Sequence, residues 1–127
     1  VPLPMTRIIL YVRDVALLKA FYQRHFDLPV IEEIDGAWVV LDAGAIELVL
    51  HLAGPAFRQA ALSAHANADA STMKLVFSID ADIAAHRDRL ARDGMTVRDL
   101  KRYDGFAYRM YNGLDPEGNV FQVMQPD

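Results

Sequence analysis

The chain contains no cysteine, which excludes disulfides, thiolate metal sites and a cysteine nucleophile. It also lacks any apolar run near the ~20 residues that a membrane-spanning helix needs, and Val1 to Met5 carry no basic leader region. A cytoplasmic protein with no membrane partner is therefore expected. Long runs of one charge are missing too: the formal charge of −4 is spread along the sequence, leaving no electrostatic footprint for nucleic acid. Nor is there a Gly-rich phosphate loop, a serine nucleophile motif or a metalloprotease-like histidine pair. What remains is a chain of 127 residues, 53% hydrophobic, enough for a single domain (1–127) that buries a core without staples.

Thr6 to Arg13 is rich in β-branched and aliphatic residues and ends at Asp14, a good helix N-cap. Leu17, Leu18, Phe21 and Tyr22 then recur at helical spacing as far as Phe26, and Asp27 with Pro29 marks the stop. Three hairpin-connected strands follow, Val30 to Ile34, Trp38 to Leu41 and Ile46 to Leu52, with turns at Asp35-Gly36 and Asp42-Ala43-Gly44. An Ala-rich linker, 55–72, with a short helix around Phe57 to Ala64, separates two halves. The second half reads as a strand from Met73 to Ile79, a cap at Asp80 and a helix from Ile83 to Asp93 closed by Gly94. Strands at Thr96 to Arg102, Phe106 to Asn112 and Asn119 to Gln125 complete it.

The halves repeat one plan. An ungapped offset of 67 aligns Arg7 with Lys74, Val12 with Ile79, Asp27 with Gly94 and Val30 with Val97. Two repeats are too few for a solenoid, so the expected fold is α+β: two βαβββ units, 5–54 and 73–127, related by a pseudo-twofold. Curved mixed sheets would enclose a cavity, with helices on the outer face.

Strand alternation divides the residues between two faces. Ile8, Leu10, Val12, Ile46, Leu48, Leu50, Leu52, Leu75, Phe77, Ile79, Phe121 and Val123 form one entirely apolar set, suited to packing against helices. The opposite set mixes Arg7, Tyr11, Glu47, His51, Lys74, Ser78 and Gln122 with Ile9, Val49, Val76, Val120 and Met124. An apolar floor with a few convergent polar groups has the character of a ligand cavity, whereas the bland reading is a solvated sheet face. Trp38, Tyr108, Met110 and Tyr111 lie on middle strands, where parity is open by one residue and core packing is the default.

These residues resemble the vicinal oxygen chelate superfamily of glyoxalase I, extradiol dioxygenases, fosfomycin-modifying enzymes and bleomycin-resistance proteins. Val12-Arg-Asp14 leading into Phe21-Tyr22, Leu75 to Asp80 before the second helix, and Leu114-Asp-Pro-Glu-Gly-Asn119 before Val120 to Val123 carry the resemblance. It implies four metal-ligand positions, on the first and fourth strand of each unit, which match Arg7, Glu47, Lys74 and Gln122. Arginine offers no lone pair, and lysine beside a divalent ion would have to give up its proton. Glu47 and Gln122 alone fall short of the three protein ligands that a catalytic zinc commonly uses. His51 is about 13 Å along the strand from Glu47, too far to share an ion. His25 and His86 fall in helices and His65 in the linker, where surface or hydrogen-bonded roles are usual. No metal and no cofactor are expected.

The bland role for Arg7, Glu47 and Lys74 is an ion-pair cluster with one surplus positive charge. The sharper one is reception of a carboxylate or phosphate on a small organic ligand, with Tyr11, His51, Gln122 and Met124 as further contacts. The leading expectation is thus a metal-independent small-molecule-binding protein similar to antibiotic-sequestering relatives, and a homodimer like them. An alternative is a glyoxalase-like lyase, isomerase or dioxygenase with a rearranged metal site, or with acid-base chemistry at Glu47 and His51. A third reading is an interaction module with a vestigial cavity.

Overall fold

In the computed structural model, which describes residues 1–56 and 71–127, the alternation from Thr6 to Arg13 becomes strand β1 (Arg7–Val12). Ile8, Leu10 and Val12 turn inward, while Ile9 is 39% and Tyr11 55% exposed. Asp14 then starts helix α1 (Val15–Phe26) by accepting a hydrogen bond from the Leu17 amide at 3.0 Å. The helix buries Val15, Leu18, Phe21, Tyr22 and His25 and packs against strands β3 (Trp38–Asp42) and β4 (Glu47–Leu52). Two residues depart from expectation: Leu17 faces solvent, and His25 is a core residue beside the Phe21 ring at 5.1 Å. Asp27 ends the helix in the left-handed region at φ 54°, a conformation that aspartate tolerates better than most residues.

With strand β2 (Val30–Ile34), the sheet of the first unit has the order β1-β4-β3-β2. The β1–β4 pair is parallel and the others antiparallel, because α1 provides the long return and tight turns join the rest. The chain divides into units Val1–Ser63 and Ala64–Asp127. The linker reading for 55–72, its short helix and His65 fall largely on 57–70, outside the described residues.

The second unit repeats the plan with strand β5 (Leu75–Ser78), helix α2 (Ile83–Arg92), strand β6 (Tyr108–Leu114) and strand β7 (Val120–Pro126). Its sheet runs β5-β7-β6, with β5 parallel to β7. Asp82, not Asp80, caps α2, its side chain accepting from the Ala85 amide at 3.2 Å. Gly94 closes it at φ 82°, with Gly94 N donating to Ala91 O and Met95 N to Leu90 O, the paired bonds of a left-handed helix end.

The strand expected over Thr96 to Arg102 forms only isolated bridges, Val97 to Gly113 and Lys101 to Met110. Between them the register slips by one residue at Asp99-Leu100, as in a β-bulge, so the segment runs beside β6 without becoming a regular strand. Gly113 permits this approach. A Cβ at that position would stand 2.4 Å from the Phe121 ring and 2.9 Å from the Thr96 carbonyl oxygen.

Candidate functional site

Residues directly opposite one another across a sheet project from the same face, so the pairing registers order the face turned away from each helix into rows. In the first unit these are Arg7–Glu47–Asp42, then Ile9–Val49–Val40–Glu32, then Tyr11–His51–Trp38–Ile34. The structure brings Arg7 and Glu47 together: Nη2 and Nε of Arg7 donate to Glu47 Oε1 at 2.7 and 3.1 Å. Both side chains are about a third exposed, at 38% and 32%, so the pair contributes at most about 1 kcal/mol. The guanidinium also lies 5.7 Å from the centre of the Trp38 ring, whose Nε1 donates to Glu32 Oε2 at 3.2 Å.

The third row is an aromatic strip. His51 contacts Tyr11 at 5.1 Å and Trp38 at 5.4 Å between ring centres. Its Nδ1 lies 2.8 Å from Leu52 O; a carbonyl only accepts, so Nδ1 is the donor in this contact. Glu47 and His51 are two rows apart and engaged by different partners, which does not assemble an acid-base pair on one reacting group.

The second unit gives Lys74–Val120–Leu114–Thr96, then Val76–Gln122–Asn112–Arg98, then Ser78–Met124–Met110–Lys101. Lys74 stands one step beyond the Leu75–Phe121 register, against Val120. The counterpart of Glu47 by register is therefore Val120, and Gln122, matched to Glu47 from sequence, pairs with Val76 one row along. Gln122 is largely buried and Met124 half-buried. Tyr111 points the other way, its hydroxyl 2.6 Å from His86 Nδ1 on α2. Burial pushes the Tyr111 pKa up against the opposing pull of Arg89 and Arg87, so this hydroxyl keeps its proton at neutral pH.

Sequence reasoning missed Thr96, Arg98 and Asn112, which with Lys74, Gly113, Leu114 and Val120 line a cleft of about 120 Å³ that contains no carboxylate. Arg98 and Asn112 also border a wider groove of about 360 Å³ shared with Asp99 and Lys101. Among the described residues, Lys74, Arg98 and Lys101 have no carboxylate partner, whereas Arg7, Lys19, Arg87 and Arg102 each have one. Asn112 Oδ1 is buried without a hydrogen-bond partner.

The four positions that would ligate a metal do not fit one. Arg7 and Lys74 are cations, and the Oε1 of Glu47 is occupied by two guanidinium hydrogen bonds. Among the described residues no group of three or more His, Cys, Asp or Glu is placed to hold an ion, and no helix is long and apolar enough to cross a membrane.

A family model described as Glyoxalase/Bleomycin resistance protein/Dioxygenase superfamily matches residues 5–123. Among solved structures, a lactoylglutathione lyase from Agrobacterium tumefaciens is similar at TM-score 0.70 and 18% identity, covering 98% of this chain and 94% of that one. The antibiotic-binding protein TnmS3 from Streptomyces is similar at TM-score 0.71 and 21% identity, covering 99% and 98%. The fosfomycin resistance protein FosX from Listeria monocytogenes is similar at TM-score 0.71 and 12% identity, covering 100% and 94%. These likenesses establish the fold. No curated protein matches in sequence.

Proposed function

The chain belongs to the Glyoxalase/Bleomycin resistance protein/Dioxygenase superfamily, and we propose that within it this protein binds a small organic anion without a metal ion. The observation that carries the reading is the Arg7–Glu47 pair, which puts a guanidinium where relatives of this fold would hold an ion and engages the carboxylate of the first unit. Lys74 is a cation at the matching place of the second unit and, like Arg7, a poor ligand for a divalent ion. Tyr11 and His51 on the first unit, and Gln122 and Met124 on the second, offer further contacts of the mixed polar and apolar kind that small-molecule sites use. The similarity of fold to an antibiotic-binding protein supports the same reading by analogy.

The reading extends to a cytoplasmic homodimer. Its support is that β1 is an edge strand of its sheet with Ile9 and Tyr11 exposed, the kind of edge that proteins cover. Sedimentation at micromolar concentration is expected to give twice the chain mass, and a monomer would remove that part.

Elemental analysis of untagged protein tests the central claim. Zinc, nickel, iron and manganese are expected well below one ion per chain. Stoichiometric metal retained through dialysis would overturn the proposal in favour of a metal-dependent lyase, isomerase or dioxygenase.

A further inference from the structure

Four of the described cations pair with carboxylates: Arg7 with Glu47, Lys19 with Glu33, Arg87 with Asp88 and Asp99, and Arg102 with Asp127. Arg89 and Arg92 lie in the last turn of α2, where the helix dipole favours positive charge. Lys74 and Arg98 have neither kind of compensation among the described residues, and both line the smaller of the two clefts described above. Thr96 and Asn112 join them there, and their side chains make no hydrogen bond to a described residue. All four residues can donate, and no carboxylate lines the cleft to accept.

Asn112 also lines the cleft, where its Nδ2 is the amide atom able to donate to an anion; its Oδ1, buried and unpaired, only accepts. Its backbone carbonyl holds Arg98 N at 2.8 Å, and Leu114 N is held by Thr96 O at 3.0 Å, fixing the 96–98 segment against β6. The lack of a side chain at Gly113 allows that close approach. The donors thus sit on a rigid pair of backbone segments, as a binding subsite requires.

We propose that the cleft formed by Lys74, Thr96, Arg98 and Asn112 is an oxyanion subsite for a phosphate group, free or esterified. It rests on the reading of the protein as an anion binder and gives that reading its polar end. Two uncompensated cations match a dianion, and donors from three segments, just before β5, on β6 and at 96–98, suit a group with three terminal oxygens better than a planar carboxylate. The wider groove bordered by Arg98 and Asn112 leaves room for an ester's organic part.

The test is a titration of the full chain with inorganic phosphate at constant ionic strength, followed by the amide resonances of Thr96 and Arg98 and the side-chain NH2 of Asn112. Saturable shifts at these groups are expected. Acetate should bind at least about tenfold more weakly, and Arg98→Met and Lys74→Met should each weaken phosphate by about tenfold. Both side chains are exposed, so unchanged circular dichroism will show that the variants are folded. A parallel titration with methyl phosphate distinguishes the sources: tighter binding than inorganic phosphate assigns the site to an ester, weaker binding to the free ion.

Absence of saturable shifts at these groups, acetate binding as tightly as phosphate, or phosphate affinity unaltered in both variants would each overturn the inference. Failure here in metal-free protein would leave the proposed function standing, whereas stoichiometric metal would overturn that function whatever phosphate does.

Discussion

Across the first unit, the face turned away from the helix carries Glu47, Asp42 and Glu32 with Arg7; across the second, the same register positions carry Val120, Leu114 and Arg98 with Lys74. One plan of strands therefore presents two electrostatic surfaces. In the first unit the cation is absorbed by a neighbouring carboxylate; in the second no carboxylate stands at the matching register positions. Asp99 and Asp127 of the second unit pair with Arg87 and Arg102 instead of with Lys74 or Arg98. The duplicated backbone thus fixes where side chains project, while the residue at each position decides whether a unit pairs its own charges across the face.

The same comparison extends to packing, where its largest effects are expected. Leu41 lies opposite Leu48 in the first unit, and Gly113 lies opposite Phe121 at the matching place in the second. Two medium side chains are exchanged for none and a large one, which keeps the layer filled. Leu41 is fully buried, so Leu41→Ala should cost about 2–4 kcal/mol by leaving a cavity. Gly113→Leu, which makes the second unit formally like the first, should be worse, because even a Cβ there meets Phe121 at 2.4 Å. Urea denaturation is expected to show Gly113→Leu without a cooperative native transition and Leu41→Ala with a lowered midpoint. Equal, mild effects would show that the two layers are not complementary solutions to one packing problem.

The turns that precede each last strand provide a smaller contrast. Asp115 accepts hydrogen bonds from Glu117 N at 2.9 Å, Asn119 N at 3.0 Å and Asn119 Nδ2 at 2.9 Å, and it is buried. Asp42 accepts from Gly44 N at 2.9 Å and is exposed. Asp115→Ala should therefore destabilise by about 2 kcal/mol, since it strands buried donors, and Asp42→Ala by well under about 1 kcal/mol. Thermal unfolding of the two variants side by side checks the order; its reversal would break the comparison of the turns.

Much of this organisation was legible in the sequence, and the reasons are local. Ile8 and Ile9 fall on opposite faces because a strand alternates, and Asp14 and Asp27 bound α1 because capping chemistry is short-range. The family, too, could be read from Asp14 before Phe21-Tyr22 and from the Asp115 turn, and residues 5–123 match its model. The polar end of the candidate site was not legible, because it depends on register across a longer distance. A turn centred on Asp104-Gly105, continued regularly, sets Arg98 opposite Tyr111 and so on the helix face. The slip at Asp99-Leu100 sets it opposite Asn112 instead, beside Thr96 and Lys74. The cap of α2 is a related case: Asp80 and Asp82 both precede the helix, and which of them caps it lies in how the chain enters it.

The smallest effect concerns where the second unit's acids go. Asp127 pairs with Arg102, and that hydrogen bond, followed by Coulomb attraction from Arg102 and then Arg109, holds the Asp127 carboxyl below its ordinary value. A lowered folded-state value means that any contribution to stability is present above the unfolded carboxylate pKa and is lost as pH falls through the folded one. Both side chains are about half exposed, so stability at neutral pH should not change measurably in Arg102→Met. Instead, the titration midpoint of the Asp127 carboxyl carbon should move up toward the usual range, with some lowering retained from Arg109. If Asp127 served the cations of the cleft face, its midpoint would respond to Arg98→Met and not to Arg102→Met. That result would return a carboxylate to the face on which Lys74 and Arg98 stand uncompensated, and the contrast between the two units would close.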